Sequence, residues 1–166
     1  GWGEIKTFRV HQLLTLHSST FRTELMRKWE EALPKHTFYE DNLMVCQTLP
    51  HVERLYYRDT DLYRYTIGRE GQSVSEAVQK KRYAHQILVA ERCFRCCHLD
   101  KLENRRLRRY LKHELFMMFA LAIVFTRLNK TAESDADLDK MWENCRAFDE
   151  KWADHFRNRT PLWFIC

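Results

Sequence analysis

Glycine and proline are scarce in this chain, 4 and 3 among 166 residues, which excludes collagen-like repeats and disfavours an all-β sandwich built on tight turns. Long apolar runs are also missing. The longest, Leu115 to Phe125, has eleven residues, short of the ~20 that a spanning helix needs. The opening Gly1-Trp2-Gly3-Glu4 carries neither a charged n-region nor an apolar h-region, so neither secretion nor a membrane anchor is expected of these residues. The start at Gly1 without Met suggests an excised part of a longer protein. No G-x-G-x-x-G, P-loop, G-x-S-x-G or H-E-x-x-H is present, which removes the commonest signatures of dinucleotide, phosphoryl-transfer, hydrolase and zinc-protease sites.

What is present suits a helix-rich globular chain: 45% hydrophobic and 31% charged residues, in a length that makes one domain or a piece of one. The six cysteines, Cys46, Cys93, Cys96, Cys97, Cys145 and Cys166, are too sparse for a disulfide framework. Reduced thiols and a cytoplasmic setting follow. Cys93-Phe-Arg-Cys96-Cys97-His98 has a zinc-like C-x2-C start, but no second ligand pair follows at finger spacing, so buried thiols are expected. The sequons Asn129-Lys-Thr131 and Asn158-Arg-Thr160 carry no meaning in a cytoplasmic chain.

The net charge of +5 is unevenly placed. Between Lys101 and Lys112 six basic residues stand against Glu103 alone, and between Glu133 and Asp154 eight acids stand against three bases. Equal and opposite stripes one helix apart predict two helices that face each other, and no nucleic-acid partner.

Periodicity divides the chain near residue 74. Phe8, Val10, Leu14 and Leu16 share a parity, predicting a strand that ends at His17-Ser-Ser-Thr20. Phe21, Leu25, Trp29 and Leu33 predict a helix stopped by Pro34, and a short helix is expected from Glu40 to Leu49, closed by Pro50. Val52 to Tyr57 and Leu62 to Ile67 read as strands rich in Tyr and β-branched residues. From Ser73-Val-Ser-Glu76, which has the capping-box spacing, a helix runs through Ala84, Ile87, Phe94 and Cys97. A second helix holds the basic stripe and the apolar run. A third starts at Ser134-Asp-Ala-Asp137 and carries Leu138, Met141, Trp142, Cys145, Phe148, Trp152 and Phe156 on one core face.

Three clusters carry chemistry, each with a bland alternative. Tyr39-Glu40-Asp41 places two acids at a helix start, where the dipole stabilises them whether or not they act. Asp59-Thr-Asp61 has the D-x-D form of a cation site or a solvated turn. Tyr63-Arg64-Tyr65-Thr-Ile-Gly68-Arg69-Glu-Gly71-Gln72-Ser73 combines aromatics, arginines, glycines and a helix cap, a reasonable anion site.

Together these blocks resemble a known family. The segment from Leu16 to about Arg92 looks like the C-terminal half of bacterial family 2 glycosyltransferases of the capsular and exopolysaccharide type. The resemblance rests on the order and spacing of His17-Ser-Ser-Thr-Phe-Arg-Thr23, Leu33-Pro-Lys-His-Thr-Phe-Tyr-Glu-Asp41, Leu49-Pro-His-Val-Glu-Arg-Leu-Tyr-Tyr57 and Leu62 through Val74. It covers roughly half of the chain. It implies an α+β, mostly helical fold: residues 1–73 as the acceptor-side part of a nucleotide-diphospho-sugar transferase fold, then a helical bundle over 74–166. It implies transfer from a nucleotide-sugar donor to a glycan or lipid-linked acceptor in cell-surface polysaccharide synthesis. Asp41 matches the general base, with Glu40 beside it; Tyr63, Arg64, Tyr65, Arg69, Gln72, Ser73 and His17 would bind substrate, with Arg64 or Arg69 as a charge clamp.

In that family Mg or Mn sits on a D-x-D of the N-terminal half, upstream of the Glu-Asp block. Asp59-Thr-Asp61 lies downstream, so no metal is assigned to it and none is expected in this chain, which alone should be inactive. Peripheral contact with the inner face of the cytoplasmic membrane and self-association are further expectations. The alternative is a helical docking or membrane-surface module in which the acids only cap helices.

Overall fold

The structure, a computed structural model, describes residues 13–61, 63–66, 68, 72 and 75–164. Seven α-helices occur among them: α1 Thr23–Met26, α2 Glu40–Thr48, α3 Glu76–Lys81, α4 Tyr83–Cys96, α5 Arg105–Arg127, α6 Ala132–Phe148 and α7 Glu150–Arg159. The mostly helical expectation holds, and no helix among the described residues is long and apolar enough to cross a membrane. The central element is α4, which packs against α2, α5 and α6. It therefore buries Ile87, Val89, Ala90, Cys93 and Phe94 on several faces at once.

The core is aromatic at its centre. Phe119 stacks on Trp142 with ring centroids 4.9 Å apart, and Phe94 and Phe156 tilt against Phe119 at 5.9 and 5.4 Å. Each buried ring of this kind contributes about 1.5–3 kcal/mol by area alone. Cys46, Cys93, Cys96, Cys97 and Cys145 are all free and buried. Burial pushes the Cys96 and Cys145 thiols up to about 12. These five are packing residues, in line with the reduced-thiol expectation.

Local signals explain the helix starts. The Asn104 side chain accepts from the backbone N–H of Arg106 at 3.0 Å and of Leu107 at 3.2 Å, opening α5. Thr131 and Ser134 form a reciprocal capping box, so the N-cap of α6 is Thr131, three residues before the Ser134 start of the predicted cap segment. The single last helix predicted through Phe156 is broken instead. Asp149 is extended at φ −152°, ψ 93°, and its carboxylate accepts from Trp152 N at 3.0 Å, starting α7.

Two expectations in the first part are corrected. The helix predicted from Phe21 to Leu33 survives only as α1, because buried side chains of α2 capture its second half. Glu31 N–H donates to Gln47 Oε1 at 2.9 Å, Gln47 Nε2 donates to Glu31 O at 3.1 Å, and Trp29 Nε1 donates to Thr48 Oγ1 at 3.0 Å. Backbone groups held this way cannot close a helical turn.

The strands fail too: no strand is present among the described residues, including those of 52–57, 63–66 and 13–16. Residues 8–12, 62 and 67 of the predicted strands lie outside the described residues. A strand needs a neighbour's ladder, and none of these segments finds one. Leu14 N–H goes to the Tyr110 hydroxyl at 2.7 Å, while Tyr56 and Tyr57 stay 89% and 77% exposed. The α+β part of the expected fold is thus not realised here.

Candidate functional site

Glu40 and Asp41 form the first turn of α2, both half-buried. The turn is uncapped by its N-cap side chain, since Tyr39 adopts a left-handed φ of 70° and turns its ring away to pack on the core. Free N–H groups at a helix start leave a partial positive charge that favours carboxylates there. Asn42 reads the Tyr39 carbonyl through Nδ2 at 3.0 Å and touches Asp41 Oδ1 at 3.5 Å. Neither acid forms an ion pair among the described residues.

The α3–α4 junction supplies the other wall. Arg82, whose φ of −116° and ψ of 26° interrupt the helix there, lays its guanidinium 3.8 Å from the Phe38 ring centroid. The Phe38 N–H donates to His85 Nδ1 at 3.1 Å, which leaves the ring proton on Nε2. Burial, then the Arg82 charge, hold the His85 ring below its ordinary range, against an opposing pull from Glu40. The His85 imidazole, the Arg82 guanidinium and the Glu40 carboxyl thus lie within electrostatic reach of one another near the start of α2, with Asp41 next along the chain. Arg82 and His85 carry little signal in the sequence: the basic Lys80-Lys-Arg-Tyr-Ala-His run looks like a solvated helix face.

The predicted substrate loop assembles in part. His17 stacks on Tyr65 at 5.4 Å and tilts against Tyr63 at 5.0 Å, which brings it onto rings 46 and 48 positions further along the chain. Gln72 closes the loop by donating Nε2 to Thr66 O at 2.6 Å and accepting Gly68 N–H at 2.8 Å, a turn that uses a positive φ of 101° at Gly68. Arg64 is exposed on this loop, while Arg69 and Ser73 lie outside the described residues. No hydrogen bond, ion pair or ring contact joins Glu40 or Asp41 to the described loop residues.

Asp59 accepts from the Tyr57 hydroxyl at 3.3 Å on an exposed turn, and no group of three metal-capable side chains occurs among the described residues. The opposed charge stripes do not meet as expected either. The acids of 133–154 are taken up elsewhere: Asp135 by Arg127, Asp154 by Arg146, Asp139 by Arg157, and Asp137 by the Tyr83 hydroxyl. The basic stripe instead faces α7. No family model, curated protein or solved structure matches the chain.

Proposed function

We propose that this chain is the acceptor-side portion of a glycosyltransferase that moves a sugar from a nucleotide-diphospho-sugar to a polysaccharide or glycolipid acceptor. The observation that carries the reading is the position of Glu40 and Asp41, which end one of the four resembling blocks. They stand on a helix start that the N-cap side chain does not cap, half open to solvent, with Glu40 within electrostatic reach of His85. A carboxylate unspent on ion pairs keeps lone pairs for a substrate hydroxyl.

In this reading the acceptor hydroxyl hydrogen-bonds to Asp41. As its oxygen bonds to the anomeric carbon, the bond from that carbon to the diphosphate breaks with its electron pair, and the hydroxyl proton passes to the carboxylate. The His17, Tyr63 and Tyr65 rings offer an apolar platform for a sugar face. Tyr56, Tyr57, Tyr63 and Tyr65 are all exposed on backbone that lacks a ladder partner. A nucleotide-binding half with its own strands would pair that backbone and cover those rings. The family's Mg or Mn does not fit Asp59 and Asp61, which gain no third donor among the described residues, and no step is routed through it.

The test is sugar transfer by the complete protein carrying Asp41→Asn. Asn matches Asp in size and capping but accepts no proton, so a lost base slows transfer ~10²–10⁴-fold at unchanged Tm. Transfer within about threefold of wild type, a margin of ~0.65 kcal/mol, makes the acid structural. A helical docking module is the second reading, favoured by exposed Leu121 and Val124 on α5 and Leu128 at its C-cap. A complete protein that transfers no sugar would bring it forward.

A further inference from the structure

Between the first half of α5 and α7 lies an open cleft of about 670 Å³. Arg105, Arg108, Arg109 and Lys112 enter it from α5, and Arg159 enters from the end of α7. No acid lines it among the described residues, and none of these five cations forms an ion pair with a described carboxylate. Asp100, the acid felt by Arg108, is already committed to Lys151 Nζ at 2.6 Å and Trp152 Nε1 at 2.9 Å. Five like charges held around one concavity repel one another, and an anion between them would relieve that repulsion.

Two features separate this cleft from a merely solvated basic face. Arg108 is fixed, its Nε and a terminal amino group both donating to the Leu102 carbonyl at 3.0 and 2.5 Å, so its guanidinium is held in place in the cleft wall. Aromatic side chains make the other wall: Phe116 from α5, and Trp152, whose ring carries the Lys112 ammonium 4.9 Å from its centroid. Burial and the neighbouring Arg108 hold Lys112 below its ordinary range, and burial with Lys112 and Arg159 does the same to His155 in the cleft wall. Positive charge here is uncompensated.

The geometry points to a binding site for a phosphorylated ligand, its di- or polyanionic phosphate held by Arg108, Arg109, Lys112 and Arg159 and its apolar or ring-shaped body laid against Trp152 and Phe116. A free phosphorylated small molecule and a lipid headgroup share this chemistry. The exposed apolar residues Leu121 and Val124 of α5 and its C-cap Leu128 lie roughly 140° around the helix from the cleft cations, so a membrane seated on them would not reach the cleft. A short cleft bounded by α7 also suits a compact group better than a nucleic-acid backbone, which needs a continuous track. The site uses α5 and α7 and no residue of the α2 acid pair, so it stands or falls independently of the transferase proposal.

Calorimetry of the whole chain with inorganic pyrophosphate at low salt tests it. Saturable one-to-one binding is expected, weakened ~10-fold or more by Arg109→Gln and by Lys112→Gln at unchanged Tm. Lys140→Gln, which removes the same charge from the exposed face of α6, should leave it unchanged. Because Arg109 is solvent-exposed, its replacement does not threaten folding. Vesicles of phosphatidylglycerol and phosphatidylcholine form the second arm: binding that pyrophosphate displaces identifies a headgroup as the source and supports the site. Absence of saturable binding, equal weakening by Lys140→Gln, or vesicle or oligonucleotide binding that pyrophosphate cannot displace overturns it.

Discussion

The side-chain amide of Gln47 pairs with both backbone groups of Glu31, accepting its N–H at 2.9 Å and donating to its C=O at 3.1 Å. Gln47 is only 3% exposed, so this two-bond clasp takes the place of a ladder in tying the 29–33 segment to α2. Gln47→Met keeps the volume and removes both bonds, leaving two backbone groups without partners. The expected cost is about 1–3 kcal/mol in urea denaturation. An unchanged midpoint would mean that water replaces the clasp without loss.

Tyr110, Glu114 and Leu14 make the buried polar contact that holds the first described residues. Tyr110 donates its hydroxyl to Glu114 and accepts Leu14 N–H. Burial raises the Glu114 carboxyl from its ordinary 4.5 to about 7, the Tyr110 bond opposing. Between those two values the folded state holds a proton that the unfolded state has released. Stability therefore falls as pH rises through that window, by up to about 3 kcal/mol, and levels off above it. Glu114→Gln should flatten the slope, matching wild type below pH 4.5 and exceeding it above 7. Parallel stability curves for the two proteins would contradict the assignment.

The break between α6 and α7 depends on one carboxylate. Asp149→Ala removes the acceptor of the Trp152 N–H and should cost ~1 kcal/mol, whereas Asp149→Asn should cost a few tenths. Thermal unfolding of both variants distinguishes a cap from a mere linker residue, for which the two would be equal.

Histidine NMR titrations report on the candidate site without any substrate. His85 should titrate below 6.5, and because burial is the leading cause, part of the depression should survive Arg82→Gln. That variant should move the midpoint back toward 6.5, while Glu40→Gln should move it further down. A ring charged with difficulty in the native state also costs stability as pH falls below 6.5, so the wild type should weaken there by this route. An unmoved midpoint in both variants would place Glu40 and Arg82 away from the ring.

Much of the helical half was legible in residue spacing. The three-four rhythm through Ile87, Phe94 and Leu115 announces α4 and α5, and Pro50 closes α2 where its ring forbids another turn. The acid pair was equally visible, since Glu40 and Asp41 follow a proline-ended segment and open an apolar run. Arg82 and His85 were hidden because their significance lies in facing α2 across a helix junction. The strand signals of 52–57 and 62–67 were real local preferences without a partner to realise them.

By itself the sequence determined what depends on near neighbours along the chain: the stop at Pro50 and the apolar stripes that make α4 to α6 core helices. Tertiary structure alone decided what depends on which surfaces meet. The Phe21 to Leu33 pattern gave way because Gln47 and Thr48, sixteen and nineteen positions on from Glu31 and Trp29, offered its backbone and indole better-placed bonds than the next helical turn did. The basic stripe of α5 turned to α7 and away from the acids of α6 because the buried ring cluster of Phe119, Trp142 and Phe156 dictates how those helices rotate. Exposed ion pairs, worth a few tenths of a kcal/mol each, must form wherever that packing leaves them.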